Sequence, residues 1–316
     1  GIRKLLPEQV ELISGPGCPV CVTQVGFIDE AIYLALERQV TICTFGDLVR
    51  VPGTNMSLAG AREKGAKIRI VYSPVDAKEY AKEHPKEQVT FLSVGFETTT
   101  PSACLSVKKA REEGLTNYSI LTANKTMPQA YEALKGSADI FLYPGHVNAI
   151  TGTKLCEELA KEGVSGVVAG FTAKELLTAL AVALARFQEG RPFFVNCYPR
   201  VVTENGSPQA QKLVEEMMEP CDSEWRGLGV IKGSGMRLQE EWSAFDARKK
   251  YKIPPIQGKA NPACRCGDVL QGKCKPSDCK VFGKVCTPQR PVGACMVSGE
   301  GACSAYYMYG EAEKMK

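Results

Sequence analysis

No stretch of this 316-residue sequence reaches the ~20 consecutive apolar residues of a membrane span. The longest apolar run, residues 176–187, is interrupted by Thr178 and Arg186. No secretory signal opens the sequence, so the expectation is a cytoplasmic protein that does not enter membranes. Long basic blocks are also missing. The 39 Lys and Arg against 35 Asp and Glu leave a net charge of +4, spread along the chain, which argues against nucleic acid as a main partner. There is no P-loop, no G-x-G-x-x-G, no G-x-S-x-G and no H-E-x-x-H. Phosphoryl transfer, dinucleotide binding and serine or zinc hydrolysis therefore find no support.

Cysteine, in contrast, is plentiful. Seven of the 14 lie between Cys264 and Cys303, and the other seven are scattered over the first 221 residues. Without a secretory signal, metal binding or redox work is a better default for them than structural disulfides. The overall composition, 44% hydrophobic and 23% charged, is that of a globular protein able to bury a sizeable core.

A strand–loop–helix rhythm runs to about residue 198. Apolar strand segments are read at residues 10–13, 40–45, 67–72, 89–94, 118–122, 140–143, 167–169 and 193–196, with helices between them, several stopped by glycine (Gly114, Gly136, Gly163, Gly190). Such alternation predicts an α/β fold: two similar parallel-sheet βα domains with helices on both faces, followed by a Cys-rich segment. The expected boundaries are residues 1–88, 89–199 and 200–316. The first half reads one βα unit shorter than the second, and the sequence begins Gly1-Ile2-Arg3-Lys4 without an initiator Met. A leading unit is therefore expected to be missing. From residue 254 the chain is rich in Gly, Pro, Lys and Cys, and needs a metal or a cover to fold.

Gly15-Pro16-Gly17-Cys18-Pro19-Val20-Cys21 sits between a predicted strand and the helix starting at Val25. Two thiols two residues apart in a tight turn at a helix start suit reversible disulfide chemistry or a soft metal, because the helix N-terminus favours thiolate. They could equally be two buried fillers or half of a zinc site. In the C-terminal segment the cysteines are Cys264, Cys266, Cys274, Cys279, Cys286, Cys295 and Cys303. This irregular spacing suits an iron–sulfur cluster better than paired zinc knuckles, with zinc, disulfides and free thiols as alternatives. Glu97, Thr98 and Thr99 fall at the C-terminal end of a predicted parallel strand, where open α/β sheets bind ligands. Thr99 or Thr100 before Pro101 also fits a helix cap. His146, in Tyr143-Pro144-Gly145-His146-Val147, occupies the same edge of another strand, whereas His84, the only other histidine, reads as a solvated helix end. Asp47 and Arg50 in a third edge loop could pair with each other. Cys43, Cys104, Cys156, Cys197 and Cys221 read as buried filler.

These motifs, together with Thr44-Phe45-Gly46-Asp47, Arg50-Val51-Pro52-Gly53, Asp222-Ser223-Glu224-Trp225-Arg226-Gly227-Leu228-Gly229 and Ser298-Gly299-Glu300-Gly301-Ala302-Cys303, resemble the HypD family of [NiFe]-hydrogenase maturation proteins over essentially the whole chain. The resemblance implies two similar α/β domains and a cluster-bearing third, facing a central cleft. It implies a scaffold for the Fe(CN)2CO group, with HypC as partner chaperone and HypE delivering cyanide made with HypF. It further implies a [4Fe–4S] cluster on Cys274, Cys279, Cys286 and Cys303, with Cys266, and Cys295 in addition, as extra thiols. Cys18 and Cys21 match the redox-active C-x-x-C and transient iron ligands; Glu97, Thr98, Thr99 and His146 match cleft motifs. The family's earlier Cys-Gly-Gly-His motif has no counterpart here, in keeping with the expected missing unit. The rival reading is an iron–sulfur-dependent thiol–disulfide reductase.

Overall fold

The computed structural model of the chain describes residues 2–310. Its elements run α1 (Pro19–Val22), α2 (Val25–Glu37), β1 (Thr41–Thr44), α3 (Leu58–Glu63), β2 (Ile68–Ile70), α4 (Pro74–Glu83), β3 (Val89–Gly95), α5 (Thr100–Glu112) and β4 (Tyr118–Lys125). The second run is α6 (Met127–Ala133), β5 (Phe141–Pro144), α7 (Gly145–Thr151), α8 (Lys154–Lys161), β6 (Gly166–Ala169), α9 (Ala173–Phe187) and β7 (Phe194–Asn196). Then come α10 (Pro208–Met217), β8 (Met218–Trp225), β9 (Gly229–Leu238), α11 (Ala247–Tyr251), α12 (Cys266–Leu270) and α13 (Ala302–Tyr309). No helix among the described residues is long and apolar enough to cross a membrane.

Local chemistry accounts for many boundaries. Ser73 caps α4 by accepting from the Asp76 amide, with Pro74 opening the helix. Thr172 and Glu175 form a reciprocal capping box at the start of α9. The helix-stopping glycines take left-handed backbone, as at Gly114 (φ +69°) and Gly163 (φ +92°).

Two sheets result. The larger has strand order β2-β1-β3-β4-β9-β8, and the smaller β5-β6-β7. Strands β1 to β4 are mutually parallel, as are β5 to β7. Every residue of β3 and of β4 is buried, as in a sheet covered on both faces. The fold is therefore α/β, as the alternation predicted. The strands sort differently from the expected boundary at residue 88, however. β3 and β4 extend the first sheet, because the full length of β3 pairs with β4 while β1 lies on its other side.

Two segments depart from expectation. Residues 10–13 form no strand; Ile13 instead packs where a side chain on Gly272 would fall, so the apolar run covers the Cys-rich segment rather than joining a ladder. The stretch 218–238, whose segments 223–229 and 232–235 have the composition of loops, is an antiparallel hairpin. Its outer strand β8 alternates buried and exposed from Met218 to Trp225, and it joins the sheet by pairing Asn124 with Met236 and Lys125 with Gly235. Cys43, Cys104 and Cys156 are buried as expected, whereas Cys197 and Cys221 are partly exposed. His84 ends α4, with its ring stacked on Tyr80 and Nδ1 2.9 Å from the Tyr80 carbonyl. Arg50 does not pair with Asp47; it donates to the carbonyls of Pro288 (2.8 Å) and Val297 (3.1 Å), fastening the Cys-rich segment to the first sheet.

Candidate functional site

Pro19 starts a single helical turn, and Cys18 caps it by accepting from the Cys21 amide at 3.3 Å. This turn brings the Cys18 and Cys21 sulfurs to 2.7 Å, with Cys21 donating to Cys18. Both are free thiols and both are buried, at 3% and 0% exposure. The pair is electrically asymmetric. The Cys21 thiol hydrogen bond stabilises charge on Cys18 and holds its pKa below the ordinary thiol value, with the Cys21 amide and the Ser298 hydroxyl helping against the cost of burial. The same bond, with burial, pushes Cys21 well up. Of the two, Cys18 is the thiol that ionises more readily and Cys21 the one that holds its proton.

The pair does not stand alone. Cys295 lies close enough to Cys21 to act on its ionisation, and Cys266 and Cys303 act in the same way on Cys295. Cys266 in turn meets Cys264, sulfur to sulfur 3.1 Å. Cys18, Cys21, Cys266, Cys295 and Cys303 are thus buried in one core that joins the C-x-x-C turn to the C-terminal segment. Two glycines permit that approach. A Cβ on Gly301 would stand 2.3 Å from the Cys295 carbonyl oxygen and 3.1 Å from the Cys21 sulfur. One on Gly293 would stand 2.3 Å from the Cys264 sulfur and 2.5 Å from that of Cys266.

At the far end Cys264, Cys266, Cys279, Cys286 and Cys303 line one void of about 10 Å³, closed by Val269, Val281, Phe282 and Met296. No three His, Cys, Asp or Glu side chains among the described residues converge on a single ion-sized point. A cluster asks for a different arrangement, with each thiolate on its own iron and the sulfurs spread around a central space. Five thiols around an apolar-walled void fit that demand, once the walls spread to admit the group. Cys274 is not among them: it lies in a separate surface cleft beside Arg3, Glu11 and Tyr306. The ligand set that the resemblance implied, Cys274, Cys279, Cys286 and Cys303, did not include Cys264. Its place emerges only from the folding of α12 against the loop carrying Cys279 and Cys286.

The hairpin holds the C-x-x-C turn in place. Thr23 bridges Trp225, and Arg226 donates its amide to the Val22 carbonyl and its Nε to the Thr23 carbonyl, both at 2.8 Å. Trp225 is fully buried, stacked on Phe96, with Nε1 donating to Ser234 at 2.7 Å.

Glu97 follows β3 at the sheet edge, where the strand pattern puts it. Its Oε1 accepts from the Met127 amide at 2.8 Å, while Oε2 is buried with no partner. Burial raises its pKa to about 7. Its buried neighbours include Tyr131 and Cys156; the Tyr131 and Tyr143 hydroxyls are likewise buried and unpartnered. Thr98 is exposed. Thr99 occupies the cap position of α5 without a side-chain capping bond, its hydroxyl donating instead to the Phe96 carbonyl at 3.3 Å. Thr100 donates to the same carbonyl at 2.9 Å and accepts from Asn124. His146 opens α7, but its exposed ring stacks on Phe171 with centroids 4.2 Å apart. Phe96 and Val147, the neighbours of Glu97 and His146, share one hydrophobic core with Cys18, Cys21, Cys266, Cys295 and Cys303. The two sheet edges and the thiol run therefore meet around common packing, although the polar ends of Glu97 and His146 do not point at each other.

Comparison with known proteins identifies the family. The family profile described as "HypD: Hydrogenase formation hypA family" matches residues 1–310. A hydrogenase maturation factor HypD of Cupriavidus necator is 42% identical, over 98% of this chain and 85% of the relative. Proteins of the same name from Rhizobium leguminosarum bv. viciae and Escherichia coli K12 are 43% and 41% identical, over 98% and 99% of this chain and 84% and 86% of theirs. With the profile spanning nearly the whole chain and relatives alike throughout, the chain belongs to the HypD family of hydrogenase maturation factors.

Proposed function

We propose that this chain is a redox-active scaffold on which the Fe(CN)2CO group of [NiFe]-hydrogenase is assembled, working in the cytoplasm with a HypC chaperone and receiving cyanide from HypE with HypF. The observation that carries the proposal is the burial of the Cys18–Cys21 pair in one core with Cys266, Cys295 and Cys303, beside the thiol-lined void. We assign the void to a [4Fe–4S] cluster on Cys264, Cys279, Cys286 and Cys303. In this set Cys264 takes the place that the resemblance gave to Cys274, and Cys266 and Cys295 stay free as the link to Cys21. A bound cluster supplies electrons one at a time, whereas opening a Cys18–Cys21 disulfide takes two.

The chain's own residues account for the rest. Cys18, made the more readily ionised of the pair by the Cys21 hydrogen bond, offers a soft ligand to low-spin iron as cargo. Cys21 keeps the proton that Cys18 gives up. Glu97 holds a second proton close to neutral pH at the edge of β3. With Cys18 and Cys21 3% and 0% exposed, either an iron cargo or a protein disulfide needs the site to open before it reaches the sulfurs.

Anaerobic purification tests the reading. The protein should be brown, carry about four irons per chain beyond any cargo, and show infrared bands of metal-bound cyanide and CO when produced with its partners. Cys18→Ala should keep the four irons and lose the bands. A colourless protein with one zinc, or bands that persist in that variant, would overturn it.

A further inference from the structure

The charge of this chain is unevenly placed. Residues 264–290 carry six basic side chains and two acidic ones, whereas the rest of the sequence holds 33 of each sign. The whole net charge of +4 therefore sits on the 27 residues that contain four of the five void-lining thiols. All six basic residues (Arg265, Lys273, Lys275, Lys280, Lys284 and Arg290) are exposed. Arg265 is taken up by Asp268 at 2.8 Å and Lys275 by Glu11 at 3.0 Å. Asp278, the other acid, accepts from the Lys275 amide. Among the described residues Lys273, Lys280, Lys284 and Arg290 have no carboxylate within 4 Å. Lys280 adjoins Cys279, and Lys284 stands two residues before Cys286, both void-lining thiols.

The same segment offers an apolar centre. A tight loop over residues 281–286 is closed by the Cys286 amide on the Val281 carbonyl (2.8 Å) and the Gly283 amide on the Cys286 carbonyl (3.0 Å). It presents Val285 outward at 63% exposure, directly before Cys286. An exposed apolar residue next to Lys284, in a segment carrying further unpaired lysines and one residue before the void-lining Cys286, has the composition of a transient electron-transfer contact: small, steered by charge, and close to the acceptor.

We propose that this basic surface docks a small acidic one-electron carrier protein, which supplies the reducing equivalents for the thiol pair. The proposal rests on the cluster assigned above. Two carrier molecules are each oxidised by one electron. The two electrons break the Cys18–Cys21 S–S bond, and two protons from water complete the dithiol. Lysine charge brings the carrier in and orients it, and dissociation is fast because the charges stay hydrated at the rim.

The test uses an acidic [2Fe–2S] ferredoxin as probe. Binding of the oxidised probe is followed by calorimetry, and anaerobic reduction of the iron-loaded chain by the reduced probe in a stopped-flow instrument. Binding and reduction rate should each fall about tenfold between ~20 and ~200 mM salt, and about tenfold again in the triple variant Lys273→Glu, Lys280→Glu, Lys284→Glu, while reduction by dithionite is unchanged. The neutral triple variant to Ala should lie between, which separates lost charge from lost fold. Iron-loaded protein whose probe binding ignores both salt and charge reversal overturns the docking surface alone. Protein without iron overturns the cluster reading and the electron route with it, whatever the binding.

Discussion

Glu97 shows how one residue's surroundings set its chemistry. A carboxyl with one oxygen satisfied by the Met127 amide and the other buried and unpartnered keeps its proton to about pH 7. In the unfolded chain the same group ionises near its ordinary value of 4.5. Between those two values the native state holds more protons than the unfolded one, so this residue's contribution to stability falls as pH rises from about 4.5 to 7. Above 7 the penalty is complete. Glu97→Gln retains the carbonyl that accepts from Met127 and removes the ionisation. Chemical denaturation should therefore find the variant more stable than the parent at pH 8, by ~3 kcal/mol at most, with the difference shrinking towards pH 5. An unchanged difference across that range would show that Glu97 titrates normally.

Among the elements, the hairpin β8–β9 matters most for the site, because its tip presses on the chain just after Cys21. Trp225 is buried among residues of both sheets and of the thiol run. Trp225→Ala removes the Phe96 stack and the bond to Ser234, and should cost ~3–5 kcal/mol. It should also free the Thr23 bridge, so that Cys18 and Cys21 react with a thiol reagent faster than in the parent. Loss of stability with unchanged thiol reactivity would confine Trp225 to packing. The hairpin was poorly legible in the sequence. Gly227, Gly229, Gly233 and Gly235 look like loop, yet the first three take left-handed backbone at turns, and a side chain on Gly235 would meet Ser223 at 2.8 Å. The true signal was the alternation from Met218 to Trp225, masked by Pro220 and four polar residues.

At the scale of the whole molecule, strands and helices to residue 198 were legible because β-rich apolar runs and glycine stops are local signals. The sorting of strands into sheets was not, since it depends on which strand β3 pairs with. Residues 10–13 look like a strand by composition but find their cover on the Cys-rich segment. The C-x-x-C turn could be read from spacing. The place of Cys264 at the void could not, because the fold brings together residues separated by 39 positions, from Cys264 to Cys303. The same geometry makes the C-terminal segment depend on what it holds. With the proposed cluster removed by a chelator under reducing conditions, the melting temperature should fall and limited proteolysis should cut first within residues 264–303, sparing β1 to β7. Equal protection of that segment with and without iron would count against the cluster as its organiser.

The joint between the hairpin and the parallel strands is short: two residue pairs link β4 to β9, where seven link β3 to β4. Mechanically the hairpin is a lever on a narrow pivot. Its outer strand lies at the free edge of the sheet, and its tip rests on the turn that carries the thiol pair. A protein seated against β8 would therefore contact an element whose other end touches Thr23, two residues after Cys21.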